Sequence, residues 1–184
     1  MKRGQGHSRL RAVAVAILVA AARAQALESA RIVVSIPDRK LALMEGERVV
    51  KVYETAVGAA VSPSPTGSYT IATRIPNPTW YTPGKVVGPG KHNPLGTRWM
   101  GLSLKGFGIH GTNSPRSIGR AASHGCIRMR NRDVEELFER VSVGYVVELH
   151  GERDAEIERI FGAAREPAAV VVAAAGTPAP KGGE

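Results

Sequence analysis

Residues 109–129, IHGTNSPRSIGRAASHGCIRM, place the strongest condition on the fold. Two His-Gly pairs, His110-Gly111 and His124-Gly125, enclose a polar loop containing Gly and Pro. Cys126, the single cysteine of the chain, follows the second pair directly. Apolar residues flank both ends, Phe107 and Ile109 before His110, and Ile127 and Met129 after Cys126. If these two short runs pair as neighbouring strands, His110 comes within hydrogen-bond reach of Cys126. A free thiol near neutral pH is only a few per cent thiolate, so such a neighbour is what turns it into a nucleophile. Gly125 lets the backbone turn tightly before the thiol, so that successive N–H groups can converge as an oxyanion hole.

The start of the chain bears on how that cysteine is read. Residues 1–26 have the form of a secretory signal peptide: Lys2, Arg3, Arg9 and Arg11 precede an unbroken apolar run over 12–22. Ala22-Arg23-Ala24 and Ala24-Gln25-Ala26 both offer small-x-small cleavage patterns. The run is short for a membrane span, which needs about 20 residues, so export is expected in preference to an uncleaved anchor. A lone cysteine in an oxidising compartment asks for an explanation. The plain explanation is a small buried hydrophobe; the flanking His-Gly pairs and Arg128 favour a nucleophile. One cysteine allows no internal disulfide, so stability must come from a packed core.

Removal of 26 residues leaves 158 of 184, enough for one domain with a genuine core. Its 21 Gly and 12 Pro across the whole chain favour short strands and many turns over a helical bundle. Strands are expected at 31–35 and in a hairpin of 40–45 and 48–57, with Gly46 first in a type II′ turn. Further strands are expected at 68–73, 101–104, 107–109 and 145–149. Residues 75–97, rich in Pro and Gly and holding Trp80, Tyr81 and His92, form a long excursion, a feature usually functional in a compact domain. One helix follows the cysteine, with Asn131 as N-cap and Val134, Leu137, Phe138 and Val141 on one face. A second helix is expected within 151–166, and the Ala- and Pro-rich tail 167–184 reads as disordered. The fold class is therefore mainly β, short strands with a helix packed beside them, in a catalytic domain spanning 31–150.

Charge narrows the partner. Five cations depart with residues 1–26, so the formal +9 becomes +4. Between Thr55 and Arg132 there is no Asp or Glu, while ten Lys and Arg occur there. A positive region around the nucleophile attracts an anionic substrate and helps to hold a thiolate. No nucleic-acid-binding motif is visible, and an exported protein meets a carboxylate-bearing wall peptide more readily than nucleic acid. A Cys-His-Asp triad would need its carboxylate from outside this block, for example Asp133 or Glu135; the simpler reading is that His110 is oriented by a backbone carbonyl. Metal binding by His110, His124 and Cys126, with His92 as a fourth ligand, is a weaker reading because zinc sites show tighter ligand pairs. A non-catalytic wall-binding module is a third.

His110-Gly111, followed by Ser123-His124-Gly125-Cys126-Ile127-Arg128, resembles the active-site signature of the L,D-transpeptidases, the YkuD-domain family. The resemblance extends over roughly 31–149 and implies a YkuD-like β-sandwich of short mixed strands. It implies Cys126 as nucleophile and His110 as base, with no cofactor. Gly125 and Cys126, with His124, would supply oxyanion N–H groups, while Ser123 and His124 shape the loop. Arg128 and Gly111 are the candidate substrate-binding positions; Arg128 would share the face of Cys126 on a common strand, where it could bind a substrate carboxylate or brace the catalytic loop. The implied substrates are peptidoglycan stem tetrapeptides, which lose a terminal D-alanine as the acyl group passes to an amine. Hydrolysis on the same site is the alternative. The resemblance also implies inactivation by carbapenems and a place in the periplasm or cell wall. A monomer is expected.

Overall fold

Apolar residues on both faces of β1 (Ala30–Ser35) set the centre of the molecule. Ile32 and Val34 point into the main core and Val33 into a second, smaller cluster, all three fully buried. A strand buried on both faces needs cover on both. The computed structural model describes residues 30–162. The expected signal peptide (1–26) and Ala/Pro-rich tail (167–184) lie outside those residues.

β1 pairs antiparallel with β2 (Lys40–Glu45), which continues through Gly46-Glu47 into β3 (Arg48–Glu54). Gly46 has φ +59, as the first turn position of a tight hairpin requires. On its other side β1 pairs in parallel with β12 (Val146–His150). β5 (Gly67–Pro76) then joins two layers, pairing with β12 at one end and with β8 (Arg98–Leu102) at the other, with a register shift between Ile71 and Thr73. β9 (Gly108–His110) follows β8, and β11 (Ile127–Arg128) closes the order β11-β9-β8-β5-β12-β1-β2-β3. The two edges of this curled sheet meet where Ala56, just past β3, exchanges two 2.9 Å backbone hydrogen bonds with Arg128, beside the short parallel pair of β4 (Val57–Gly58) and β10 (Ala121–Ser123). The mainly β, mixed-strand architecture expected from the sequence is present, and its two layers are halves of one curled sheet.

The core collects Ile32, Leu41, Ile71, Met100, Ile109 and Ile127 from both halves, with Val134, Leu137 and Phe138 from α1 (Asn131–Arg140). Outside, Val33, Ala42 and Met44 are covered by Ile157, Ile160 and Phe161 of α2 (Ala155–Phe161). The Asp154 carboxylate caps α2 by accepting from the Ile157 N–H at 2.9 Å.

Two local expectations need correction. Asn131 is not the N-cap of α1: Arg130 holds that position, and Asn131 is the first helical residue, its side chain turned away to the Thr112 N–H. The excursion 75–97 is not free of secondary structure. It carries a hairpin, β6 (Trp80–Thr82) with β7 (Lys85–Val87), closed by Pro83-Gly84 with Gly84 at φ +74. Pro at the second and Gly at the third position of a turn fit type II geometry. Buried Asn93 locks its base, donating to the Pro78 carbonyl at 2.7 Å while its Oδ1 accepts from the Leu95 N–H at 2.8 Å.

Candidate active site

β9 and β11 run parallel with Ile109 opposite Ile127 and His110 opposite Arg128. The two isoleucines are buried in the core. Because side chains alternate along a strand, His110 and Arg128 face the other way, and Cys126, two residues before Arg128, joins them. The register places Cys126 beside Gly108, one diagonal step from His110. The sheet thus brings three of the predicted site residues to one surface.

The imidazole of His110 is 4% exposed. Its Nδ1 lies 2.6 Å from the Gly111 carbonyl, so Nδ1 carries the proton and donates it, leaving Nε2 unprotonated. Trp99 lies against the ring at a centroid distance of 5.6 Å. Burial pushes the His110 pKa down to about 4; the nearby charge of Arg128 acts in the same direction, against the carbonyls of Gly111 and Leu95. The Cys126 thiol donates to the Gly106 carbonyl at 3.7 Å. Burial raises its pKa above the ordinary thiol value, although the Gly108 backbone and Arg128 pull the other way. The positive region therefore does not produce a resting thiolate. At neutral pH a neutral thiol shares this surface with a neutral imidazole, and the proton must move during the reaction.

This has a consequence for pH. The unfolded chain binds a proton on this histidine below about 6.5, whereas the folded protein does so only near 4. Stability from His110 is therefore complete above pH 6.5 and is lost as pH falls toward 4. Melting temperature should decline across that interval, and His110→Gln should flatten the decline. A wild-type melting temperature independent of pH there would contradict the assignment.

The turn before the thiol is clasped by Ser123, 2% exposed. Its Oγ donates to the Cys126 carbonyl at 2.6 Å and accepts from the Gly125 N–H at 3.0 Å. The Gly125 N–H is thus turned inward, which corrects its expected part in the oxyanion hole and leaves the N–H groups of Cys126 and His124. Ser123→Ala strips both partners in a buried place and should cost about 1–3 kcal/mol. Chemical denaturation checks this, and an unchanged midpoint would contradict it. The His124 side chain is exposed.

Above the thiol opens a cleft of about 400 Å3 lined by Ile75, Pro78, Thr79, Trp80, Tyr81, Leu95, Trp99, Gly106 and Cys126. The long excursion forms most of its wall. The Gly106 carbonyl and Leu95 were not singled out by sequence reasoning, and Asn131 only as a helix cap; Gly106 and Gly108 just before His110 were the available signal. His92 is exposed, and its carbonyl accepts from the Asn113 side chain at 3.0 Å. Of the acid-free block, Arg130 pairs with Glu54 and Arg132 with Asp133, both at 3.0 Å. Arg74 stacks on Phe138 at 4.0 Å. Lys85, Lys91, Lys105, Arg116, Arg120 and Arg128 form no ion pair among the described residues. Among those residues, the one His/Cys/Asp/Glu group with ligand atoms within 4.8 Å of one another is Glu148, His150 and Glu156. There Arg31 already salt-bridges Glu148 at 3.1 Å and Glu156 at 2.5 Å.

Residues 29–149 match the family described as the L,D-transpeptidase catalytic domain, YkuD. The chain is 47% identical over 107 residues to a Bacillus licheniformis protein named as an L,D-transpeptidase, YkuD; the match covers 58% of this chain and 57% of that relative. The chain thus spans little more than half the length of that relative. Among solved structures, the catalytic domain of the Enterococcus faecium L,D-transpeptidase is similar with a TM-score of 0.55 at 22% identity, over 66% of this chain and 96% of that one. The LD transpeptidase LdtMt1, solved in complex with imipenem, has a TM-score of 0.56 at 19% identity, over 66% and 59%. With the matched segment covering most of the chain and enclosing the whole His110–Cys126 surface, this protein belongs to the L,D-transpeptidase (YkuD) catalytic-domain family.

Proposed function

We propose that the protein is an exported cysteine acyltransferase acting on peptidoglycan stem peptides, with Cys126 as nucleophile and His110 as base. The observation that carries this reading is the shared face of β9 and β11, which brings His110, its Nδ1 engaged by the Gly111 carbonyl, and the cleft-facing Cys126 to one surface. The resting thiol is bonded to the Gly106 carbonyl and must turn to Nε2 when substrate binds. Cys126 Sγ attacks the carbonyl before the terminal D-alanine, and His110 Nε2 takes the thiol proton. The N–H groups of Cys126 and His124 hold the oxygen as it becomes negative. When the C–N bond breaks, His110 passes its proton to the leaving amine and a thioester remains. An amine on a neighbouring stem then attacks the thioester, gives a proton to His110, and the proton returns to sulfur as the product leaves.

A neutral thiol and a neutral base suit this sequence, because no charge must be desolvated before substrate arrives. Unpaired cations in the acid-free block, Arg128 nearest the thiol, supply attraction for stem carboxylates. Gly111 is buried against Gly96 and Asn131 and lies off the cleft lining, so its expected contact with substrate is replaced by its carbonyl's hold on the base. Export to the periplasm or cell wall is supported by the basic then apolar start of the chain. Carbapenems, whose acyl carbon meets the same thiol, should inactivate the enzyme. The reaction needs no cofactor.

The test is incubation with a stem tetrapeptide and an amine acceptor, followed by mass analysis of products. D-Alanine release with a cross-linked product is expected. Tripeptide alone would reassign the site to hydrolysis, and no D-alanine release would overturn the reading.

A further inference from the structure

We propose that Asn131 positions the base of this site by gripping the peptide unit between Gly111 and Thr112, whose other end holds His110. The carbonyl of that unit accepts from His110 Nδ1 at 2.6 Å. Its N–H, which belongs to Thr112, donates to Asn131 Oδ1 at 3.0 Å. The amide is planar and stiff, so fixing the N–H direction fixes the carbonyl direction. Asn131 therefore sets the orientation of the imidazole without touching it, and the proposal rests on the reading of His110 as base.

The surroundings are cut to admit this side chain. A Cβ on Gly111 would lie 2.2 Å from Asn131 Oδ1, and one on Gly96 would lie 2.1 Å from it. Gly96 also has φ +63, and its Cβ would meet the Thr112 nitrogen at 2.4 Å. Two glycines on separate segments thus leave room for one amide oxygen. Asn at a helix start usually caps its own helix. This one stands one residue inside α1 and serves another segment instead, so helix stability does not explain it. The chain two residues before Asn131 is anchored to the same strand, because the Met129 N–H donates to the His110 carbonyl at 2.8 Å.

The arrangement also answers the lack of carboxylates between Thr55 and Arg132. When His110 takes the thiol proton, its Nδ1–H bond to the Gly111 carbonyl strengthens. That polarises the Thr112 N–H toward Asn131, as in any linked chain of hydrogen bonds. A neutral amide acceptor thus does, through one peptide, part of what an acid does directly in a Cys-His-Asp site.

The experiment compares wild type, Asn131→Ala and Asn131→Asp, with melting curves for each. One readout is the imipenem acylation rate by intact mass across pH; the other is the NMR signal of the His110 Nδ1 proton. For Asn131→Ala, the maximal acylation rate should fall about 10- to 100-fold with little change in the half-saturating concentration. Its Nδ1–H signal should broaden through faster exchange. Asn131→Asp keeps the acceptor and should recover most of the rate. Its carboxylate favours the imidazolium, so the acid limb should move to higher pH. Wild-type rate and Nδ1–H signal in Asn131→Ala would overturn the proposal. So would an Asn131→Asp variant as slow as the alanine one with an unmoved acid limb, which marks a purely structural role. A wild type that does not acylate, with an Nδ1–H signal still sensitive to Asn131, would remove the base reading and leave the positioning in place.

Discussion

Cys126→Ala should abolish the proposed D-alanine release and acyl transfer while the protein melts within about 1 kcal/mol of the parent. The asymmetry follows from where the sulfur sits. Cys126 lies at the edge of the core, half-buried, with the thiol turned to the cleft and the Gly106 carbonyl. Removing Sγ leaves Ile127 in the core and the Ser123 clasp intact, because that clasp uses the backbone carbonyl of residue 126. The hydroxyls of Ser123 and Thr112 are buried and engaged. Product assays with calorimetry check both halves. Residual turnover above the uncatalysed background would remove the thioester from the mechanism.

Gly125→Ala should produce the second large effect, and through geometry alone. Gly125 has φ +104, which an L residue adopts only under strain of about 1–3 kcal/mol. An added Cβ would also meet Phe107 Cε1 at 2.6 Å and the Pro63 carbonyl at 3.1 Å. The turn must then open, carrying the Cys126 N–H and Sγ away from their resting places. Misplacement of about 1 Å costs on the order of 100-fold in rate, so acylation should fall by at least that much. Stability should fall by about 2–3 kcal/mol. Denaturation midpoints and acylation rates measured together decide the matter. An alanine variant with a near-wild-type rate would show that the tight turn is not needed to present the thiol.

These two effects were legible in the sequence to different depths. The pairing of the run ending at His110 with the run starting at Ile127 could be read from two short apolar stretches around His-Gly pairs. The strands 31–35 and 40–45 and the helix after Cys126 were legible for the same reason: periodicity and turn residues act over a few positions. The excursion was harder. Its Pro83-Gly84 turn was visible, but the locking of its base by Asn93 depends on carbonyls at Pro78 and Val87, which nothing local announces. Asn131 shows the limit best. Local preference makes an Asn before an acidic helical turn a cap, yet its partner is the Thr112 N–H, 19 residues away and brought close only by β9 and β11 pairing. The thiol's resting state was likewise hidden. Ten cations suggested a held thiolate, but burial outweighs Arg128, and burial is a property of the fold.

The proposed chemistry runs through an acyl-thioester on Cys126, formed by a thiol that is uncharged at rest. The most direct measurement is intact-protein mass spectrometry of the enzyme with imipenem, alongside Cys126→Ala, over pH 5–8. A single adduct of the drug's mass on the wild type, absent from the variant and mapping to Cys126, is the expected result. Because His110 stays unprotonated down to about 4, the rate should vary little across that range. A rate climbing tenfold per pH unit would show that sulfur reacts only as free thiolate. No adduct on a folded wild type, or an adduct surviving Cys126→Ala, would contradict the claim itself.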